Sequence, residues 1–262
     1  MQRGVCAVVL CRRRLAETML ELRPLPTRCA QRRSDSVCTT CGARPFSVCD
    51  SLDAGDLERL DAIAERMDLE AGEGLIRQGE PANYVFNITS GSMRVYKLLP
   101  DGRRQITGFL FAGDFFGLAT GQDYAFSAEA IEDATLCRFR KSEYRALIRD
   151  VPALEAALLE RATHELAAAQ NQMLLLGRKT AQERVASFLL ELPGDPVRPS
   201  AEGLVGLPMT RAEIADYLGL TIETVSRVLT RLKTSGVIRL ISLNELRIEQ
   251  PERLRALAGS EF

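Results

Sequence analysis

The hydrophobic pattern of this chain changes period once, near Asp150, and that change restricts the possible folds more than any other feature. From Leu69 to about Arg140 the apolar residues come in short runs: Gly74–Ile76, Tyr84–Ile88, Ser92–Leu98, Gln105–Phe111, Phe126–Ala130 and Thr135–Phe139. Turn formers separate them, among them Glu70-Ala71-Gly72, Gly79-Glu80-Pro81, Ser90-Gly91, Pro100-Asp101-Gly102 and Ala112-Gly113-Asp114. Many short strands at regular spacing predict an antiparallel sandwich or jelly-roll. Beyond Asp150 the period becomes helical. Pro152 suits a first helical turn, and Val151, Leu154, Leu158, Ala162, Leu166, Ala169, Met173 and Leu176 follow in steps of three and four. This is a helix of roughly seven turns. Its narrow, alanine-rich stripe suits a coiled-coil-like seam with a second copy better than a broad packing face on its own domain. The expectation is a homodimer whose interface holds Leu154, Leu158, Ala162, Leu166, Ala169, Met173 and Leu176.

Two flanking segments complete the organisation. Leu52, Leu57, Leu60, Ile63, Ala64 and Met67 recur at helical spacing, which predicts a helix over Ser51–Met67. After the long helix, Gly177-Arg178-Lys179 reads as a stop, Ala181–Leu192 as a further helix, and Pro193–Gly206 as a Pro/Gly-rich loop. Four parts result: an Arg-rich tail at 1–37, a β-rich domain at 38–150, a dimerisation helix at 151–178 and a helical domain at 179–262.

The formal net charge is −1, so a nucleic-acid-binding role requires positive charge gathered locally. No stretch approaches the roughly 18 to 20 apolar residues of a membrane span, and the expected location is cytoplasmic. With a single histidine, His164, histidine-based catalysis has little to work with, and no enzyme is expected. Six of the seven cysteines (Cys6, Cys11, Cys29, Cys38, Cys41 and Cys49) fall in the first 49 residues, and Cys137 stands apart. An odd, crowded set in a reducing compartment points to metal or redox chemistry rather than to a disulfide framework. Four thiolates suit a 4Fe-4S cluster or a structural zinc, and a lone C-x-x-C also suits thiol redox chemistry.

The residues from Met209 to Lys233 carry the densest local information. Thr210 followed three residues later by Glu213 is a capping box. Ile214, Ala215 and Leu218 form a buried face, Gly219 supplies a turn of positive φ, and Thr221 caps a second helix packed through Val225, Val228, Leu229 and Leu232. That is a helix-turn-helix. Ile222, Glu223, Ser226 and Arg227 face outward where a recognition helix meets base edges. Arginine can hold guanine O6 and N7 together, and glutamate accepts from cytosine N4. Thr210, Arg211, Arg231 and Lys233 are placed for phosphates, with Thr221 at the helix start. Gly236 to Ile248 reads as two strands around a turn, a wing.

This segment resembles the winged helix-turn-helix of the CRP/FNR family, and the order of β-domain, long helix and wing extends the resemblance from residue 38 to about 250. Glu223-x-x-Ser226-Arg227 resembles the FNR branch, whereas the CRP branch typically has Arg and Gly where Ile222 and Ser226 stand. The resemblance implies an α+β architecture with a cyclic-nucleotide-binding-like jelly-roll, and a two-fold DNA site similar to TTGAT-N4-ATCAA. It implies double-stranded DNA, RNA polymerase and a second copy of the chain as partners. Cys38-x2-Cys41-x7-Cys49 with the distant Cys137 resembles the FnrN/FixK-type ligand set, which implies one 4Fe-4S cluster per subunit on those four residues, an oxygen-responsive dimer, and Cys29 as substitute ligand. Phe115 to Ser127 has Leu118 after Gly117 and no arginine, unlike cyclic-nucleotide-binding members, so no cyclic nucleotide is expected. Leu166-Ala-Ala-Ala169 carries no acid, which implies a muted oxygen response. Two rivals remain: a CRP-like regulator answering another effector, and an iron–sulfur redox protein.

Overall fold

The structure, a computed structural model, describes residues 38–118, 121–192 and 203–259. The Arg-rich tail, with Cys6, Cys11 and Cys29, lies outside the described residues. The chain enters through three short 3-10 turns, Cys38–Thr40, Arg44–Phe46 and Val48–Ser51. Asp53 then caps α1 (Ala54–Ala62), its carboxylate accepting from Asp56 N. The β-domain follows as β1 (Ala64–Leu69), β2 (Gly74–Ile76), β3 (Tyr84–Ser90), β4 (Met93–Leu98), β5 (Arg104–Leu110), β6 (Phe115–Phe116), β7 (Ser127–Ala130) and β8 (Ala134–Arg140). The helix expected over Ser51–Met67 is shorter than that. It stops at Ala62, and Ala64–Leu69 lies antiparallel to Ala134–Phe139 of β8. That ladder, with Glu65 paired to Arg138 and Asp68 accepting from Thr135 across it, outweighs the weak helical period of the segment.

Two four-stranded antiparallel sheets form, in the orders β1-β8-β3-β6 and β2-β7-β4-β5. Leu69, Ile76, Phe86, Ile88, Met93, Phe116, Ala128 and Leu136 fill the core associated with both sheets. Successive side chains of a strand point to opposite faces. The other face of the first sheet therefore carries Val85, Phe115, Cys137 and Phe139, packed with Val48, Cys49, Leu52, Leu57 and Leu60 into a second core.

Helix α2 (Lys141–Asp150), absent from the sequence expectation, leads into α3 (Pro152–Arg178). Leu154 is fully buried in the second core of its own subunit, with Tyr144, Leu147 and Val151. It therefore supports the β-domain rather than a dimer seam. Leu158 is half-buried against the same core, and Leu176 against the core of the following domain. Ala162, Leu166, Ala169 and Met173 are exposed, Leu166 by 61% and Met173 by 66%. The helix ends at Arg178, within the Gly177-Arg178-Lys179 stop, and Lys179 leaves it in extended conformation. Among the described residues, no helix is long and apolar enough to cross a membrane.

The last domain contains α4 (Ala181–Glu191), β9 (Leu204–Gly206), α5 (Arg211–Leu218), α6 (Ile222–Thr234), β10 (Ile238–Leu240), β11 (Glu245–Ile248) and α7 (Pro251–Leu257). Residues 204–206, expected within a loop, instead pair with Glu245–Arg247 as the third strand of the wing. Its core joins Val185, Phe188, Leu189, Ile214, Leu218, Val225, Leu229 and Leu246. Helix α5 rests on β5. Arg104 Nη2 donates to Asp216 Oδ2 at 2.9 Å, Gln105 Nε2 donates to Asp216 O at 2.6 Å, and Phe109 packs against Phe188 and Tyr217.

Candidate nucleic-acid interface and cysteine site

Both helices of the helix-turn-helix begin as their sequences dictate. Thr210 Oγ1 accepts from Glu213 N while a Glu213 carboxylate oxygen accepts from Thr210 N, and Gly219 ends α5 at φ 61°, where a side chain would strain the turn. Thr221 Oγ1 accepts from Thr224 N. Val225, Val228, Leu229 and Leu232 face inward, which leaves Thr221, Ile222, Glu223, Ser226, Arg227, Arg231 and Lys233 exposed along one side of α6. The backbone N–H of Glu223, then the Thr221 side chain and the nearby Arg227, hold the Glu223 carboxyl below the usual carboxylate range. It is thus an ionised acceptor at neutral pH. Arg227 Nε donates to Glu223 O at 3.3 Å, which keeps the guanidinium beside the helix start.

A cleft of about 330 Å³ separates α6 from the start of α4, lined by Thr180, Ala181, Gln182, Thr224, Arg227, Val228 and Arg231. Helix starts are electropositive and carry amides without intrahelical partners. With Arg227 and Arg231 beside it, the cleft has the charge to take a backbone phosphate. The sequence expectation missed Gln182 and the start of α4, although the signal was present in the capping box of Thr180 and Glu183. The structure bears on two of the phosphate candidates. Thr210 is exposed, but its hydroxyl donates to Glu213 Oε2 at 2.8 Å and so is not free to donate to DNA. Arg211 is half-buried, and burial lowers its guanidinium from its usual range.

The four cysteines come from three places. Cys38 lies in the first 3-10 turn, Cys41 follows it, Cys49 sits in the third turn, and Cys137 lies on β8. Cys49 and Cys137 are buried in one core, Cys38 packs against that core, and Cys41 is half-buried. Their thiols act on one another electrostatically: Cys38 with Cys137 and Cys49, Cys137 with Cys41 and Cys49, and Cys49 with Cys41. Burial pushes the Cys137 thiol up to about 11 and raises Cys49. Cys38 is raised by burial and then by the carboxylate of Asp61, to which its S–H donates. Arg66, opposite Cys137 on β1, and Arg44, near Cys49, pull the other way. Cys38, Cys49 and Cys137 therefore favour the neutral thiol, and metal binding would have to displace their protons.

Among the described residues no three His, Cys, Asp or Glu side chains gather as one metal ion requires. A single zinc would draw four sulfurs to about 3.8 Å from one another. A four-iron cluster spreads its four cysteine sulfurs more widely, and an all-thiol set of four residues has the donor chemistry that either group takes.

Comparison with known proteins agrees with this architecture. Residues 183–257 match the Crp-like helix-turn-helix domain, and residues 66–151 match the cyclic nucleotide-binding domain. The chain is 42% identical over 224 residues to the nitrogen fixation regulation protein FixK of Bradyrhizobium diazoefficiens, spanning 85% of this chain and 94% of that protein. It is 36% identical over 256 residues to the transcriptional activator protein anr of Pseudomonas aeruginosa, spanning 95% and 99%. Among solved structures, FixK2 from Bradyrhizobium japonicum superposes with a TM-score of 0.69 at 40% identity, covering 74% of this chain and 97% of that one.

Proposed function

The chain belongs to the CRP/FNR family of DNA-binding transcriptional regulators, and from that premise we propose that it is an oxygen- or redox-responsive activator governed by a 4Fe-4S cluster on Cys38, Cys41, Cys49 and Cys137. Its fold and relatives are those of transcription factors, not enzymes. The observation that carries the sensory part is a shared core: Cys49 and Cys137 are packed in the same group of side chains as Val151 and Leu154, at the start of α3. Ser51 Oγ also approaches Ala153 O at 3.5 Å.

When bound, the cluster supplies an oxygen-labile cross-link among four thiolates. The residues of the chain do the rest. Holding Cys38, Cys41 and Cys49 against β8 keeps Val48 and Leu52 packed on Leu154, which fixes the direction in which α3 leaves the β-domain. Leu166, Ala169 and Met173 then face a second copy across a two-fold axis. Such a device shifts pairing only by its differential stabilisation of the two states. Because Leu166-Ala-Ala-Ala169 carries no acid, little repulsion opposes pairing and the response is muted.

Two copies place two α6 helices in successive major grooves. Arg227 takes a guanine, Glu223 a cytosine amino group, and Ser226 an adjoining edge of a site like TTGAT-N4-ATCAA. Arg231, Lys233 and the cleft at α4 hold phosphates. RNA polymerase is the further partner. No cyclic nucleotide is invoked, since Phe115–Ser127 offers no arginine to a phosphate.

The test is anaerobic purification with iron, sulfide and visible absorbance measured, then sedimentation and DNA binding before and after air. The expected result is four irons per chain and weaker pairing and DNA binding after air. Iron-free, colourless protein with full site-specific binding would overturn the sensory part. It would favour a regulator answering an effector in the β-domain, a reading that draws on the family match of residues 66–151.

A further inference from the structure

Among the described residues, four buried side-chain polar atoms have no hydrogen-bond partner: Asn87 Oδ1, Arg94 Nε, Tyr144 Oη and Arg247 Nε. Unpaired buried polar groups are rare and costly, and each calls for a reason. Two of the four surround the cysteines.

Across the first sheet, Arg66, Cys137, Asn87 and Phe115 form one row of directly opposed residues on β1, β8, β3 and β6. Opposed residues of an antiparallel pair point to the same face, with Cβ atoms roughly 4.5–5.5 Å apart. The Asn87 carboxamide, only 3% exposed, therefore stands beside the Cys137 thiol on the face packed by Val48, Leu57 and Phe139, with the exposed Arg66 on the far side of Cys137. Tyr144, 1% exposed, closes the same space from α2. Its ring stacks on Phe115 with centroids 5.1 Å apart and tilts against Phe139 at 5.2 Å, and its hydroxyl lies within electrostatic reach of Cys49.

Both orphans can donate. A hydroxyl rotates to suit its partner, and turning the carboxamide by 180° exchanges Oδ1 and Nδ2 without changing its shape. Cysteine-bound iron–sulfur clusters accept hydrogen bonds at sulfur, and such donors set their potential and stability. We propose that Asn87 and Tyr144 are positioning residues that donate to the cluster's cysteine sulfurs, Asn87 Nδ2 to Cys137 Sγ and Tyr144 Oη to Cys49 Sγ. This rests on the cluster assignment proposed for the four cysteines. Hydrogen bonds to thiolate sulfur favour the more negative, reduced state. Losing them lowers the reduction potential and exposes the cluster to oxygen.

The test uses the full chain, reconstituted without oxygen, as wild type, Tyr144→Phe, Asn87→Leu and Asn87→Thr. The first two remove the polar atom and nearly keep the volume, and Asn87→Thr keeps a donor. Expected are wild-type iron and sulfide at assembly, a more negative potential, and visible absorbance that decays on air exposure about tenfold faster in Tyr144→Phe and Asn87→Leu. Asn87→Thr recovers part of the difference. A merely structural role gives the opposite: deleting an unpaired buried group leaves the thermal midpoint of the iron-free protein equal or higher and the decay rate unmoved. Iron-bearing variants with wild-type potential and decay overturn this inference alone. A wild type that holds no iron overturns the cluster and this inference together.

Discussion

Arg94 on β4 donates from Nη1 to Glu213 Oε1 on α5 at 2.5 Å, while Glu213 Oε2 accepts from Thr210 N at 2.7 Å. One carboxylate thus starts the first helix of the helix-turn-helix and ties it to the β-domain, 119 residues away in sequence. Arg94 also pairs with Glu129 on β7, and both members of the Arg94–Glu213 pair are largely screened from water, with side-chain exposures of 15% and 6%. The strands therefore help set the direction in which α6 is presented.

Removing Arg94 strands a buried carboxylate. Arg94→Leu should lower stability by about 3 kcal/mol, the usual scale for breaking a buried pair from one side. The double variant Arg94→Leu/Glu213→Gln should recover part of it, because glutamine is neutral and still serves a capping box. Urea unfolding of both would show this, and equal midpoints for the single and double variants would sink the idea.

Specific and non-specific DNA contacts should separate. Arg227→Ala is expected to cost about 1–3 kcal/mol on the two-fold site and to flatten discrimination against a changed guanine. Lys233→Ala and Arg231→Ala should weaken binding to all sequences and each reduce the slope of log K against log salt by about one. Fluorescence anisotropy over a salt series distinguishes the two patterns.

The stripe of α3 should divide into two classes. Leu166→Asp and Met173→Asp put a charge on exposed positions and should shift sedimentation towards monomer while leaving the thermal midpoint nearly unchanged. Leu154→Ala should instead lower stability by about 2–5 kcal/mol, as for other large buried side chains, through the core that holds Cys49 and Cys137. Monomeric Leu154→Ala of full stability would contradict its placement.

Tyr217 should report the contact between α5 and β5. Burial, then the charges of Glu191 and Glu165, raise its phenol to about 12, against an unfolded value near 10. Both states are neutral below pH 10, so the contribution is fully present there. Between pH 10 and 12 the unfolded chain loses its proton first, and stability falls. Absorbance titration at 295 nm of wild type and Tyr217→Phe should show one late-titrating tyrosine missing from the variant, and identical curves would refute this.

The DNA-reading site was legible because its determinants are local. Thr210 with Glu213, Gly219 and Thr221 act within three or four residues, and the inward set Val225, Val228, Leu229 and Leu232 fixes by elimination which side chains of α6 remain outside. Even so, the pattern did not reveal that Thr210's hydroxyl is taken by Glu213, since a capping residue and a phosphate donor look alike in sequence. The cysteine site was only partly legible. The spacing of Cys38, Cys41 and Cys49 stands out, whereas Asn87 lies in a stretch that reads as ordinary strand and Tyr144 on a helix that the hydrophobic period did not announce.

By itself the sequence settled the order of β-domain, long helix and winged domain, the turns that punctuate them, and the exposed face of α6. Each of these follows from hydrophobic period or from hydrogen bonds between near neighbours. Tertiary structure alone decided that Ala64–Leu69 joins β8 instead of extending α1, that Leu154 turns inward while Leu166 turns outward, and that Asn87 stands beside Cys137. Those outcomes depend on strand register and on cores assembled from segments far apart in the chain, where the residue finally buried beside another leaves no mark in its own local pattern.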